Sequence, residues 1–290
     1  MEDIEHASNG KPRKRIAALD LGTNSFHAVI VDIFPDGSFR THDKLKEMVD
    51  LAHNGLGQNL SEEAMERGIE ALKRIKLLCD HQDVERILAY ATSAIREARN
   101  GGQFIQRIID EVKIKAHAIS GKMEAELIGH AIQHSIALNG DRVMNMDIGG
   151  GSVEFTILDS EKFYFLASRK IGVSRMLSQF LSHDPITRSE VKTLEAYYRE
   201  HLSDVAEAYA RHRTPILVGS SGTMESIAEM IAHQKGLDPN ITLNEFEYTA
   251  EDFLEFYDEF MKCDREERLE YKGLEEKRAD MIVPGMVLVR

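Results

Sequence analysis

Asp20-Leu-Gly-Thr-Asn-Ser25 and Asp147-Ile-Gly-Gly-Gly-Ser152 are two copies of one pattern: an aspartate, an apolar residue, a glycine turn and a serine. Each copy has a short apolar run before it (residues 15–21 and 142–146) and another after it (26–34 and 153–158). These runs are β-branched and of strand length, so each copy reads as strand, tight turn, strand. The two aspartates stand 127 positions apart, about one domain length, which makes a duplicated unit, one per domain.

Outward from the first copy, Ser61 caps a helix marked by Met65, Ile69, Leu72, Ile75 and Leu78. A strand over 86–91 runs into Thr92-Ser93, which can cap a helix carrying Arg96 and Arg99. A helix near 103–112, a short strand at 115–119 and a helix from Ser120-Gly121 to about 138 follow, the last marked by Met123, Leu127, Ile128, Ala131 and Ile132. After the second copy come a long polar helix near 187–211, a strand at 215–218, Gly219-Ser-Ser-Gly-Thr223 opening another helix, and acidic helices within 251–276 whose charge run reads as a solvated face. Strands alternating with helices indicate an α/β protein. The expected domains are 11–130 and 131–290, with 1–10 a flexible tail.

Composition narrows the function classes. Of 290 residues, 42% are hydrophobic and 29% charged, enough to build a core and too ordinary for a disordered chain. The longest apolar run, 282–289, is interrupted by Pro284 and Gly285 and is too short to span a bilayer. The acidic first ten residues lack the apolar centre of a signal peptide. Cys79 and Cys263 fit a reducing compartment and no disulfide framework, so a soluble cytoplasmic protein is expected. With 36 basic against 49 acidic side chains the net charge is −13, a field that repels nucleic acid and anionic membranes. A phosphate-rich substrate therefore has to be captured locally, by backbone amides, a few arginines or a metal ion.

The glycine turns have that capacity. Glycines let the backbone approach a bound group, consecutive amides form a nest for phosphate oxygens, and the hydroxyls of Thr23, Ser25 and Ser152 add hydrogen bonds. Asp20 and Asp147 at the strand ends are hard oxygen ligands suited to Mg²⁺. Either turn alone is equally an ordinary hairpin; the pair is the signal. Glu124, in a first helix turn where the dipole favours the carboxylate, suits a general base and equally a helix stabiliser, while Glu126 points elsewhere. Glu154 shares a strand face with Ser152 and can hold a metal or a water, or be a solvated strand residue. Arg96 is an anion contact or a surface arginine, and Gly219–Thr223 an anion contact or a common turn. His130 and His134 have metal-like spacing but no third ligand.

Together, Asp20-Leu-Gly-Thr-Asn-Ser-Phe, Ala91-Thr-Ser-Ala-Ile-Arg96-Glu-Ala, Ile119-Ser-Gly-Lys-Met-Glu124-Ala-Glu-Leu-Ile, Asp147-Ile-Gly-Gly-Gly-Ser-Val-Glu154, Gly219-Ser-Ser-Gly-Thr223 and Arg278-Ala-Asp-Met-Ile-Val-Pro-Gly resemble the Ppx/GppA family of exopolyphosphatases and guanosine pentaphosphate phosphohydrolases, within the actin/sugar-kinase/Hsp70 superfamily. The resemblance covers about 14–290. It implies two ribonuclease-H-like (actin-like ATPase) domains with an interdomain active-site cleft. It places terminal phosphates on Gly22, Thr23, Asn24, Ser25, Arg96, Gly149, Gly150, Gly151 and Ser152. It assigns the catalytic base to Glu124 and Mg²⁺ to Asp147 and Glu154, with Asp20 nearby, and family habit suggests a homodimer.

The chain departs from the family pattern in having Met123 where many members have a second glutamate, and in stopping before a terminal Ser/Gly-rich segment that returns to the first domain. The expected activity is Mg²⁺-assisted release of orthophosphate from inorganic polyphosphate. The alternatives are hydrolysis of guanosine pentaphosphate (pppGpp), a sugar-kinase-like phosphotransferase, or a silent sensor of pppGpp or polyphosphate.

Overall fold

A computed structural model describes residues 12–51, 56–237 and 246–290; the expected tail at 1–10 lies outside them. The chain divides into two compact units, Met1–Ser120 and Gly121–Arg290.

In the first unit, β1 (Lys14–Leu21), β2 (Ser25–Ile33) and β3 (Phe39–Met48) form an antiparallel meander. Helix α1 (Glu62–His81) leads to β4 (Arg86–Ala91), parallel to β1. Helices α2 (Ser93–Glu97) and α3 (Gly101–Arg107) follow, then a π-helical turn over Ile108–Val112 and the short parallel strand β5 (Ala116–Ala118). The sheet order is β3-β2-β1-β4-β5.

Alternation along the strands sends Ala17, Leu19, Leu21, Phe26, Ala28 and Ile30 to one face. There they meet Met65, Ile69, Leu72 and Ile75 of α1, the stripe expected from the sequence. Ile69, Leu72 and Ile75 are fully enclosed, each worth about 1.5–3 kcal/mol of hydrophobic burial. Ser61 caps α1 through the Ala64 amide at 3.1 Å.

The second unit repeats the plan. Helix α4 (Gly121–Ser135) precedes β6 (Val143–Ile148), β7 (Val153–Leu158) and β8 (Phe163–Arg169), again an antiparallel meander. Helices α5 (Val173–Phe180), α6 (Arg188–His201) and α7 (Ser203–Arg211) lead to β9 (Leu217–Ser220), parallel to β6. Then come α8 (Ser221–Gln234), α9 (Ala250–Phe260), α10 (Arg265–Arg268), a 3-10 turn at Glu276–Arg278 and α11 (Ile282–Val289). The order β8-β7-β6-β9 repeats β3-β2-β1-β4 of the first sheet, the strand arrangement expected of paired ribonuclease-H-like units.

Several expectations shift. The units divide at Ser120/Gly121 rather than at 130/131, because α4 packs on the second sheet: a Cβ on Gly129 would lie 2.2 Å from the Phe163 ring. Its buried face is Ala125, Gly129 and Ile132, whereas Met123 and Leu127 are exposed. The polar helix near 187–211 breaks at Leu202 into α6 and α7. The acidic α9 is solvated on one side only; Phe253, Phe256, Tyr257 and Phe260 enter the core. The apolar run at 282–289 is a buried helix, since a proline in the first turn costs no intrahelical bond. Among the described residues no helix is long and apolar enough to cross a membrane, and Cys79 and Cys263 are both free thiols.

Candidate active site

Both glycine turns close by the same bond. The Gly22 amide donates to the Ser25 carbonyl at 3.2 Å, and the Gly149 amide donates to the Ser152 carbonyl at 3.0 Å. A Cβ on Gly22 or Gly149 would lie 2.9 or 3.0 Å from that same serine oxygen, so a side chain at Gly22 would force the turn to shift and one at Gly149 would press on it.

In the second turn the carbonyls are all taken from one side. Gly149 O accepts from Val173, Gly150 O from Ser174 and Arg175, and Gly151 O from Gly172. The Arg175 guanidinium adds a bond to Gly151 O at 3.2 Å. In a trans peptide the N–H points opposite its C=O, so the amides of Gly150, Gly151 and Ser152 face away from this strap as a concave nest. The first turn is held similarly, Thr23 O by the Leu51 amide and Asn24 O by those of Val49 and Asp50.

Sheet register places the acidic residues. Asp147 on β6 stands opposite Glu154 on β7 and Ser220 on β9, and Glu154 stands opposite Ser168 on β8. Ser168, Glu154, Asp147 and Ser220 thus form one row across the sheet. Ser220 Oγ donates to Asp147 Oδ2 at 2.6 Å, and Ser168 Oγ donates to Glu154 Oε1 at 2.7 Å. Glu154 is 1% exposed, which removes the solvated-strand reading of this residue. Burial pushes the Glu154 carboxyl well above the usual carboxylate range, the charges of Glu124 and Asp147 push it further, and the hydroxyls of Ser168 and Ser152 oppose them. Burial raises Asp147 as well, against the Ser220 hydrogen bond. Among the described residues no cation offsets either group.

The structure therefore brings Glu124, Ser152, Asp147 and Glu154 together within the second unit. Gly22, Thr23, Asn24, Ser25, Asp20 and Arg96 belong to the first. Asp20 is exposed at the end of β1, and the Arg96 guanidinium is half-buried and donates to Ile119 O at 3.1 Å. The hydroxyls of the Gly219–Thr223 turn are engaged inside the unit: Ser220 holds Asp147, while Ser221 and Thr223 donate to Ile148 O. His130 and His134 are exposed and bond within their own helix. Sequence reasoning did not single out Ser168, and it took Ser220 only as part of the Gly219–Thr223 turn; the signal that pairs them with Glu154 and Asp147 lies in strand register.

The profile of the Ppx/GppA phosphatase family matches residues 30–290. A Haemophilus influenzae protein described as "Putative exopolyphosphatase" is 30% identical over 288 residues, 99% of this chain and 86% of its own length. The crystal structure of an exopolyphosphatase from Cytophaga hutchinsonii aligns with a TM-score of 0.88 at 34% identity, covering 95% of this chain and 89% of that one. A Ppx/GppA family member from Aquifex aeolicus gives 0.77 at 28% identity, covering 95% and 88%. The chain belongs to the Ppx/GppA phosphatase family, hydrolases acting on phosphoric anhydride bonds.

Proposed function

We propose that this chain is an exopolyphosphatase that releases terminal orthophosphate from inorganic polyphosphate, with Glu124 as general base and Mg²⁺ held by Asp147 and Glu154. The observation that carries this reading is a cross-strand carboxylate pair beside a glycine turn in one unit: Asp147 and Glu154 are cross-strand partners, and the charge of Glu124 and the hydroxyl of Ser152 both act on Glu154.

The family is generally dependent on a divalent metal, and the donor set suits one. Two desolvated carboxylates are offset only by serine hydroxyls, a costly arrangement that a cation relieves. Among the described residues no group of three acidic, histidine or cysteine side chains is placed to hold a metal ion. Mg²⁺ needs none, because it keeps several waters and takes one or two carboxylates plus substrate phosphates. When bound, the ion neutralises charge on the phosphoryl oxygens.

The rest falls to the chain itself. Amides of Gly150, Gly151 and Ser152 donate to phosphate oxygens, and the Gly22–Ser25 turn offers a second cradle of the same kind. In the first unit, Arg96 offers a guanidinium whose chemistry suits a phosphate group. Glu124, in the first turn of α4 where the helix dipole favours a carboxylate, takes a proton from the water that attacks the terminal phosphorus. The anhydride P–O bond breaks, and the products are orthophosphate and a chain one phosphate shorter.

The test is orthophosphate release, with and without Mg²⁺, from long polyphosphate, tripolyphosphate, pppGpp and ATP, using Glu124→Gln as the blank. Mg²⁺-dependent release from polyphosphate that vanishes in the variant is the expected result. Release from pppGpp alone would overturn the substrate, and an active Glu124→Gln would overturn the base.

A further inference from the structure

Beneath the carboxylate row lies a second polar layer. Asn145 and Thr156 are cross-strand partners two residues from Asp147 and Glu154, so they share the same sheet face. Both are 0% exposed, and Asn145 Oδ1 and Thr156 Oγ1 have no hydrogen-bond partner among the described residues. The first sheet carries Ala18, Val29 and Leu88 at the matching register, an apolar layer. Leaving buried polar atoms unpaired is unfavourable, and such violations concentrate at functional sites.

The amide of Asn145 has its direction set by chemistry. Its Nδ2 lies 3.1 Å from Val218 O and 3.1 Å from Ser220 Oγ. A carbonyl can only accept, so the atom beside Val218 O is the NH₂ and not the oxygen. Ser220 Oγ then accepts from Asn145, and its one proton goes to Asp147 Oδ2 at 2.6 Å. With Asp147 ionised, the chain Val218 O, Asn145, Ser220, Asp147 has only one proton order.

We propose that Asn145 is a positioning residue for Asp147: it orients the Ser220 hydroxyl, which fixes the carboxylate and leaves its other oxygen for a divalent cation. This rests on the role proposed above for Asp147. Partners of this kind typically change metal affinity or activity about 10–100-fold when removed.

The test compares four full-length proteins: unmodified, Asn145→Leu, Ser220→Ala and the double variant. Binding of Mn²⁺ is read by electron paramagnetic resonance without substrate, and kcat and KM are measured on polyphosphate. Each single variant is expected to weaken Mn²⁺ binding and lower kcat about 10-fold, with KM changed less than about 2-fold. The double variant is expected to be no worse than either, since residues acting through one another are not additive.

Losses that multiply, or an Asn145→Leu protein equal to the unmodified one, would overturn the relay. Should Asn145→Leu not fold, Asn145→Ala with Thr156→Val copies the Ala18 and Val29 layer of the first sheet. That protein is expected to melt within a few degrees of the unmodified chain yet to bind Mn²⁺ about 10-fold more weakly; unchanged binding overturns the proposal. If the unmodified chain neither binds Mn²⁺ nor hydrolyses polyphosphate, the proposed function fails and the relay with it. If it does both and the variants match it, the relay alone fails.

Discussion

The two glycine hairpins share a backbone and differ in the side chains beside it. Gly22 closes on Ser25 as Gly149 closes on Ser152, and both turns follow an aspartate at the end of a strand. The row through Asp20 runs Lys46, His27, Asp20, Tyr90, His117. The row through Asp147 runs Ser168, Glu154, Asp147, Ser220. A histidine, whose ring lies 2.8 Å from Ser25 Oγ, stands where the second copy has a glutamate. The first row is largely exposed around a single acid, whereas the second sets a buried glutamate and a half-buried aspartate among hydroxyls. One backbone device thus sits in two electrostatic settings: in the proposed function both turns would cradle phosphate, while the acids that would hold a cation stand in the second row.

The sharpest test of that division is Glu124→Gln, because the proposed base belongs to the unit that carries the second row. Turnover is expected to fall about 1,000-fold, while equilibrium binding of a non-hydrolysed polyphosphate analogue changes less than about 3-fold by calorimetry. Next is the pair Asp147→Asn and Asp20→Asn. The first is expected to lower kcat about 100-fold and to raise the Mg²⁺ concentration needed for half activity, the second to cost under about 10-fold with little change in the metal requirement. Equal losses with equal metal shifts would erase the difference between the copies.

Stability offers the complementary check, since there the copies are expected to agree. Gly22→Ala and Gly149→Ala each drive a Cβ to about 3 Å from a backbone oxygen that cannot swing aside. Each is expected to cost about 1–3 kcal/mol in denaturant melts. A large cost at one turn and none at the other would mean that the hairpins are less alike than their closing bonds.

Much of this was legible in the sequence, for a physical reason. Glycine turns between β-branched runs admit few other structures, so both hairpins and the strand ends carrying Asp20 and Asp147 could be placed from residues alone. The two outer meander strands were not. β3 is a sheet edge with no fully buried residue, and its Phe39–Met48 sequence is mostly polar. The start of the second unit was missed because α4 shows Met123 and Leu127 to solvent and packs through Ala125 and Gly129, small residues that weigh little in an apolar pattern. Glu124, Asp147 and Glu154 were named from motif chemistry. Their partners Ser168, Ser220 and Asn145 depend on strand register, which joins positions far apart in the chain.

The smallest expected effect concerns how each unit treats a buried acid. Asp32 on β2 is 1% exposed, and the Arg15 guanidinium donates to it at 2.7 Å. That hydrogen bond holds the Asp32 carboxyl below its ordinary range, against burial, which pushes it up; the charges of Arg15, His42 and Arg40 add to the lowering. A carboxyl with a depressed folded pKa contributes stability that is complete above the unfolded value of about 4 and is lost as pH falls below it. Asp32→Asn should therefore melt a few degrees lower than the unmodified chain at pH 7, and the gap should close as the pH drops from about 4 toward the lowered folded value. A gap independent of pH would mean that Asp32 acts through shape rather than charge. It would also remove the contrast between an acid compensated by arginine in the first unit and the acids left to hydroxyls in the second.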